Sequence, residues 1–224
     1  MFARIAPRYD FLNHLLSLNV DRYWRRKSVT LAAAQPDAQI LDVCCGTGDL
    51  AIEFAHRLGP NGRVTGTDFV APMLELFRAK VAGTALEHKL NISQADTLAL
   101  PFADESFNLT SVAFGIRNVA DLERGLREMR RVLYPGGKAV ILEFNDTHHP
   151  VFGPLFKLYF SKILPRLGAL ISRDSRAYTY LPDSVGKFPP RPAFLKLMEQ
   201  SGFSNCHVHS MTFGVVSCFI GTKP

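Results

Sequence analysis

The sequence predicts an α/β fold: a doubly wound, mostly parallel seven-stranded sheet that ends in a C-terminal antiparallel hairpin. Three observations predict it. Short apolar runs alternate with helical patterns through the first two-thirds of the chain, the rhythm of a parallel sheet with right-handed crossovers. The fifth such run, residues 138–144, is almost continuously apolar, as a strand covered on both faces is. The last two runs, about 205–211 and 215–222, are close enough to pair as a hairpin.

In chain order, residues 9–34 read as two helices broken near Leu18-Asn19. Residues 39–45 form a short apolar strand ending in glycines, and 50–58 a helix. A second strand covers 63–69, a helix about 71–82, a third strand 90–95 and a fourth 107–114. The helix over 121–133 stops at Tyr134-Pro135-Gly136-Gly137, where proline cannot continue it and glycine takes the reversing turn. Residues 145–190 break the rhythm with prolines, aromatics and scattered Lys and Arg, and a helix near 192–201 precedes the hairpin. Two strands after five βα units are typical of the class I methyltransferases that use S-adenosylmethionine.

At 224 residues the chain is long enough for one sizeable core. We expect a single domain over 1–224, with N-terminal helices over the site (1–35), a cofactor-binding core (36–144), a substrate-side helical insertion (145–190) and a C-terminal helix and hairpin (191–224). The four cysteines are too few for a disulfide scaffold, so a reducing compartment is expected. The start MFARIAPRYD lacks the apolar core of a signal peptide, and no uninterrupted apolar run is long enough to span a membrane. The expected location is the cytoplasm, with contact at the inner membrane face left open. A net charge of +6 favours anionic partners without specifying one.

Gly46-Thr47-Gly48-Asp49-Leu50-Ala51 follows an apolar strand and opens a helix. Such glycines let backbone approach a ligand, and the helix N-terminus offers unpaired N–H groups. Asp68 ends the next strand, where a carboxylate accepts from both ribose hydroxyls of a nucleoside. A nicotinamide cofactor and S-adenosylmethionine fit these features equally. Asp42 separates them: a carboxylate inside the first strand needs a partner, which an ammonium and a sulfonium charge provide and a pyrophosphate does not. The plainer alternative for Asp42 is an acid capping a nearby turn. Asp96, after the third strand, suits an adenine amino group, with Thr97 offering its N–H; the alternative is a loop acid capping its own segment.

Six stretches, MFARIAPRYDFLNHLLSL, DVCCGTGDLA, ADTLALPFADESFN, FGIRNV, REMRRVLYPGGKAVILEF and YTYLPDSVGKFP, together resemble the ubiquinone/menaquinone biosynthesis C-methyltransferases. These enzymes methylate a ring carbon of a prenylated quinol, and the resemblance runs from Phe2 to about Phe188. It implies that Thr47, Asp68, Asp96 and Thr97 contact S-adenosylmethionine, and that Arg117 and Asn118 face the reacting ring. It implies C-methylation of a prenylated quinol in menaquinone or, alternatively, ubiquinone biosynthesis, with the demethylmenaquinone methyltransferase type as the favoured activity. Ala113 stands where some members carry a cofactor-contacting serine. Two departures fall near the substrate side: Asn145-Asp146-Thr147-His148-His149 follows Glu143-Phe144, and the last strand reads Phe213-Gly-Val-Val-Ser-Cys-Phe-Ile-Gly221.

A quinol hydroxyl resembles tyrosine, with a pKa of about 10, so its ring carbon attacks only as that proton leaves. Arg117 is suited to the oxyanion, with Asn118 as a second donor. A water near Arg117, or Tyr178, is the expected path for the proton. The alternatives are a surface ion pair of Arg117 with Asp121, and core packing for Tyr178 and Tyr180. Phe152, Phe156, Tyr159, Phe160, Ile163 and Leu164 recur at helical spacing with Lys157, Lys162 and Arg166, as in a helix lying on a membrane or, alternatively, packed on the sheet.

The cluster Arg22-Tyr-Trp-Arg-Arg-Lys27 reads as a solvated helix face anchored by an aromatic, and no nucleic-acid partner is expected. His148-His149 and His207-x-His209 lack zinc-site spacing, and direct methyl displacement needs no metal. Cys44 and Cys45 read as small side chains packed under the glycine loop. Rival readings are an RNA or polar-substrate methyltransferase, opposed by AFGIRN after the fourth strand; a nicotinamide oxidoreductase, opposed by Asp42; and a non-catalytic cofactor-binding protein. A homodimer is left open.

Overall fold

The computed structural model describes residues 14, 17, 19–145, 147, 153 and 184–224. The elements are α1 (Val20–Ala32), β1 (Gln39–Val43), α2 (Asp49–Arg57), β2 (Arg63–Asp68), α3 (Ala71–Val81), β3 (Leu90–Gln94), β4 (Phe107–Ala113), α4 (Leu122–Arg131), β5 (Leu133–Phe144), α5 (Arg191–Gln200), β6 (Ser204–Met211) and β7 (Val216–Thr222). One sheet takes them in the order β3-β2-β1-β4-β5-β7-β6. The first five strands are parallel, and β7 enters antiparallel to both β5 and β6. The order reverses between β1 and β4, and the crevice beyond the carboxyl ends of such strands is where doubly wound sheets bind ligands.

The central strands are largely buried because both faces are covered, with Asp42, Thr110, Ser111 and Glu143 as buried polar residues among apolar ones. Ile40, Val140, Leu142 and Cys218 pack with Trp24 and Val29 of α1, Leu50 and Phe54 of α2 and Phe77 of α3. Their neighbours Leu41, Val43, Ile141 and Phe219 face the other way, against Leu126 and Met129 of α4 and Phe194 and Met198 of α5. Of the two aromatics in the basic stretch of α1, Trp24 is the anchor: it is buried and donates from Nε1 to Thr212 Oγ1 at 2.7 Å, while Tyr23 is exposed.

Several boundaries differ from the sequence expectation, for local reasons. β1 ends at Val43 and β4 at Ala113, because Cys44 (φ 49°) and Phe114 (φ 58°) turn into the left-handed region. β5 begins at Leu133: that residue pairs with Phe107 before the register shifts, and pairing resumes at Lys138 with Leu109, so Pro135-Gly136-Gly137 lies in the shifted stretch. α1 starts just past the expected break, after Asn19 in a left-handed turn. The hairpin joins through Thr212–Gly214, where Thr212 and Phe213 are both left-handed. Apart from residues 14, 17 and 153, the helix expected within 9–18 and the amphipathic stretch 152–166 fall outside the described residues. Among the described residues no helix is long and apolar enough to cross a membrane.

Candidate active site

The crevice at the β1/β4 reversal is built from strand ends that leave regular geometry together. Cys44 and Phe114 are non-glycine residues at positive φ, one on each flanking strand, the kind of strain that concentrates at ligand sites. The two glycines of the loop have different tasks. Gly46 (φ +56°) has nothing within 4 Å of where a Cβ would stand, so the space beside it is open. A Cβ on Gly48 (φ +85°) would lie 2.2 Å from the Phe77 ring. Gly48 thus serves the packing of α3 under the loop, and only Gly46 leaves room for a close ligand.

Asp42 is 1% exposed. Its Oδ1 accepts from Ser111 Oγ at 2.7 Å, across the β1–β4 pairing, while Oδ2 is buried with no hydrogen bond. Burial pushes its carboxyl up to about 7, against the Ser111 hydroxyl and the more distant Arg25. A half-satisfied buried carboxylate calls for a donor or a cation. Asp42 is thus the buried acid the sequence marks, and the Ala51 N–H in the first turn of α2 also opposes the rise, so the turn-capping alternative is met in part.

Asp68 ties β2 to the loop: its Oδ2 accepts from the Gly46 N–H at 2.9 Å and its Oδ1 from the Val70 N–H at 2.8 Å. Burial raises its pKa while those amides oppose the rise. Each oxygen keeps a further lone pair for a hydroxyl. Asp96 is exposed and accepts from the Leu98 N–H at 2.9 Å, so the turn-capping alternative is realised in part. Thr97 is buried, its hydroxyl 3.3 Å from Cys44 Sγ. Phe69, which sequence reasoning did not single out, is 70% exposed beside Asp68; the available signal was an aromatic directly after a strand-end acid.

Thr47 is buried and its hydroxyl receives Lys80 Nζ at 3.2 Å; the same ammonium reaches Asp49 Oδ1 at 2.7 Å. Asp49 also lies 3.7 Å from His14 Nε2 and 3.6 Å from Arg25 Nη2, and His14 Nδ1 is 2.8 Å from Asp21. Arg25 pairs with Asp21 as well. Burial alone would raise both acids; the Ser17 hydroxyl and Arg25 hold Asp21 low, and Arg25 and Lys80 hold Asp49 low. His14, Asp21 and Asp49 are close enough to share an ion, yet Arg25 and Lys80 already supply the balancing charge. The network latches α1 to the start of α2.

On the β4 side, Arg117 sits in a short turn, Ile116–Asn118. Its partner is Glu143 at the end of β5, at 2.7 Å, and not Asp121. Asp121 instead caps α4, accepting from the Arg124 N–H at 3.0 Å. Glu143 is fully buried; burial raises its pKa and Arg117 opposes the rise. Arg117 Nη1 also donates to Phe114 O, its Nε to Ser184 Oγ at 3.2 Å, and the guanidinium lies 5.9 Å from the Phe144 ring centre. Asn118 is exposed on the same turn. Tyr178 and Tyr180 fall outside the described residues.

The cysteines pack. A Cβ on Gly115 would lie 2.5 Å from Cys44 Cβ, and one on Gly66 3.1 Å from Cys45 Sγ. Burial pushes the Cys44 thiol up to about 12 and Cys45 well above its ordinary value, so neither is the thiolate that metal binding or nucleophilic attack requires. His207 and His209 stand on the edge strand with ring centres 5.3 Å apart; His148 and His149 are outside the described residues.

The sequence profile of the ubiE/COQ5 methyltransferase family matches residues 1–223. The chain belongs to that family. It is 47% identical to the ubiquinone/menaquinone biosynthesis C-methyltransferase UbiE of Geotalea daltonii, over the whole chain and 94% of that relative. It is 46% identical to the demethylmenaquinone methyltransferase of Thermus thermophilus, over the whole of both chains. Among solved structures, a SAM-dependent methyltransferase from Thermotoga maritima aligns with a TM-score of 0.67 at 19% identity, covering all of this chain and 98% of that one. One from Aquifex aeolicus aligns at 0.62 and 14%, covering 89% of each. At those identities the structures attest the fold, that of S-adenosylmethionine-dependent methyltransferases. As a member of the ubiE/COQ5 family, the protein is a methyltransferase whose methyl donor is S-adenosylmethionine.

Proposed function

We propose that the protein methylates a ring carbon of a prenylated quinol in quinone biosynthesis, converting demethylmenaquinol to menaquinol. The observation that carries this reading is the end-to-end 46% identity to a demethylmenaquinone methyltransferase. The site's chemistry supports the cofactor: a buried carboxylate oxygen of Asp42 lacks a partner and the space at Gly46 is open. In this reading Asp42 balances the cofactor's positive groups, the backbone of Gly46 and Thr47 lies against it, and Gly48 lets α3 support that loop. Asp68 takes the ribose hydroxyls, Phe69 offers an apolar face to the adenine, and Asp96 with the Thr97 N–H reads the adenine edge. When bound, S-adenosylmethionine supplies an electrophilic methyl group and leaves as S-adenosylhomocysteine.

The chain's own contribution is to hold the ring and steady its oxygen. Arg117 stabilises the phenolate as the hydroxyl proton leaves, with Asn118 as a second donor and Tyr178 on the proton's path. Fixing the ring carbon in line supplies roughly 7–11 kcal/mol at best. Contact of residues 152–166 with an anionic membrane surface belongs to the same proposal, and sedimentation with anionic liposomes tests it. Mass spectrometry of the quinone pool in a strain lacking the protein tests the reaction. Accumulated demethylmenaquinone is expected; an unchanged pool refutes the proposal.

A further inference from the structure

We infer that Glu143 is a positioning residue for methyl transfer, acting through Arg117; this rests on the quinol reading above. Glu143 is the one acid in the apolar run of β5, and it is fully buried at the carboxyl end of the strand next to β4. A buried ion pair is a poor stabilising device, since apolar residues of similar shape hold a fold as well or better. Its place, at the rim of the ligand crevice, asks for another use.

The geometry supplies one. Glu143 Oε1 accepts from Arg117 Nη1 at 2.7 Å and from the Phe144 N–H at 2.9 Å, and its Oε2 lies 3.5 Å from the Arg117 N–H. With Phe114 O also on Nη1 and Ser184 Oγ on Nε, two of the three guanidinium nitrogens are committed. Nη2 alone makes no hydrogen bond among the described residues. The anchors come from the ends of β4 and β5 and from the segment that precedes α5, so the plane of the guanidinium is fixed before any substrate arrives. An oxyanion at Nη2 then meets a donor that needs no reorganisation, which is how preorganised donors lower a barrier. Glu143 thus sits against the Arg117 guanidinium on one side while the Phe144 ring lies 5.9 Å away on another, in a setting with little water.

The test is a double-mutant cycle on turnover of demethylmenaquinol, with wild type, Glu143→Gln, Arg117→Gln and the double variant, alongside the dissociation constant of S-adenosylhomocysteine. Glu143→Gln is expected to lower kcat about tenfold or more while KM and that constant stay within about threefold. In the Arg117→Gln background the same change is expected to alter kcat by less than about twofold, because its effect has lost its carrier. Glu143→Asp, which keeps the charge paired and withdraws the carboxylate by one methylene, is expected to fold and to lower kcat; it carries the test if the Gln variant does not fold. Unchanged kcat in the folded variant, or losses that multiply in the double variant, overturns the inference. If wild type itself methylates no quinol, the functional reading falls and the inference with it. If wild type turns over and Glu143→Gln matches it, the inference alone falls.

Discussion

Replacing Gly48 by alanine separates the two tasks of the glycine loop. The added Cβ would lie 2.2 Å from Cδ2 and Cε2 of Phe77, a fully buried ring that cannot swing away, at a φ of +85°. The left-handed backbone costs an alanine roughly 1–2 kcal/mol. Forcing a methyl into a packed core costs a further 1–3 kcal/mol or so. Together they predict a loss of about 2–5 kcal/mol, or very roughly 4–20 °C in Tm for a chain of this length. Gly46→Ala meets the first cost only, because nothing lies within 4 Å of its added Cβ. Urea unfolding followed by circular dichroism measures both. The double variant Gly48→Ala/Phe77→Leu should lose at least about 1 kcal/mol less than the sum of its single changes, since the two residues share one contact. Gly48→Ala no less stable than Gly46→Ala, or strict additivity with Phe77→Leu, refutes the division of labour.

Burial pushes Asp42 up to about 7, so between about pH 4 and 7 the native state holds a proton that the unfolded chain has released. That contribution is most favourable below about pH 4 and is lost as pH rises to 7, a span worth about 4 kcal/mol. Urea midpoints of wild type and Asp42→Asn at pH 5 and pH 8 should show the variant gaining relative to wild type at the higher pH; a constant difference contradicts it. With burial holding their thiols protonated, Cys44 and Cys45 should react with iodoacetamide far more slowly in the native protein than in urea, as peptide mass spectrometry will show. Lys223 is buried and donates to Leu133 O at 2.7 Å, just past the end of α4. Lys223→Met should therefore cost about 1–3 kcal/mol in urea unfolding, by removing that buried hydrogen bond together with the contacts of the same ammonium to Arg131 O and Glu105.

Element identity was legible wherever burial writes a period into the residues. The near-continuous apolar run ending at Phe144 marked a strand covered on both faces, and two close terminal runs marked the hairpin that β6 and β7 form. Boundaries were less legible: even Pro135-Gly136-Gly137, read as a stop after the helix, lies inside β5. Cys44 and Phe114 turn left-handed without being glycine, because the surrounding strand ends hold them there. The reason for Gly48 lies in the Phe77 ring of α3, which no spacing within the loop reveals. Asp42 was visible as a lone acid in an apolar strand. Glu143 bears the same mark in residues 138–144, but its meaning depends on Arg117, which reaches it across the β4–β5 pairing. Asp121 was the nearer partner in sequence; its commitment to the α4 cap emerges only in three dimensions.

The central claim is transfer of a methyl group to a quinol ring carbon, and the product tests it most directly. Purified protein is incubated with methyl-labelled S-adenosylmethionine and reduced demethylmenaquinone, and the lipid product is fragmented by mass spectrometry. One label per molecule is expected, retained on the ring-derived fragment and stable to ether cleavage. Label on oxygen, or transfer to other substrates with none to the quinol, contradicts it.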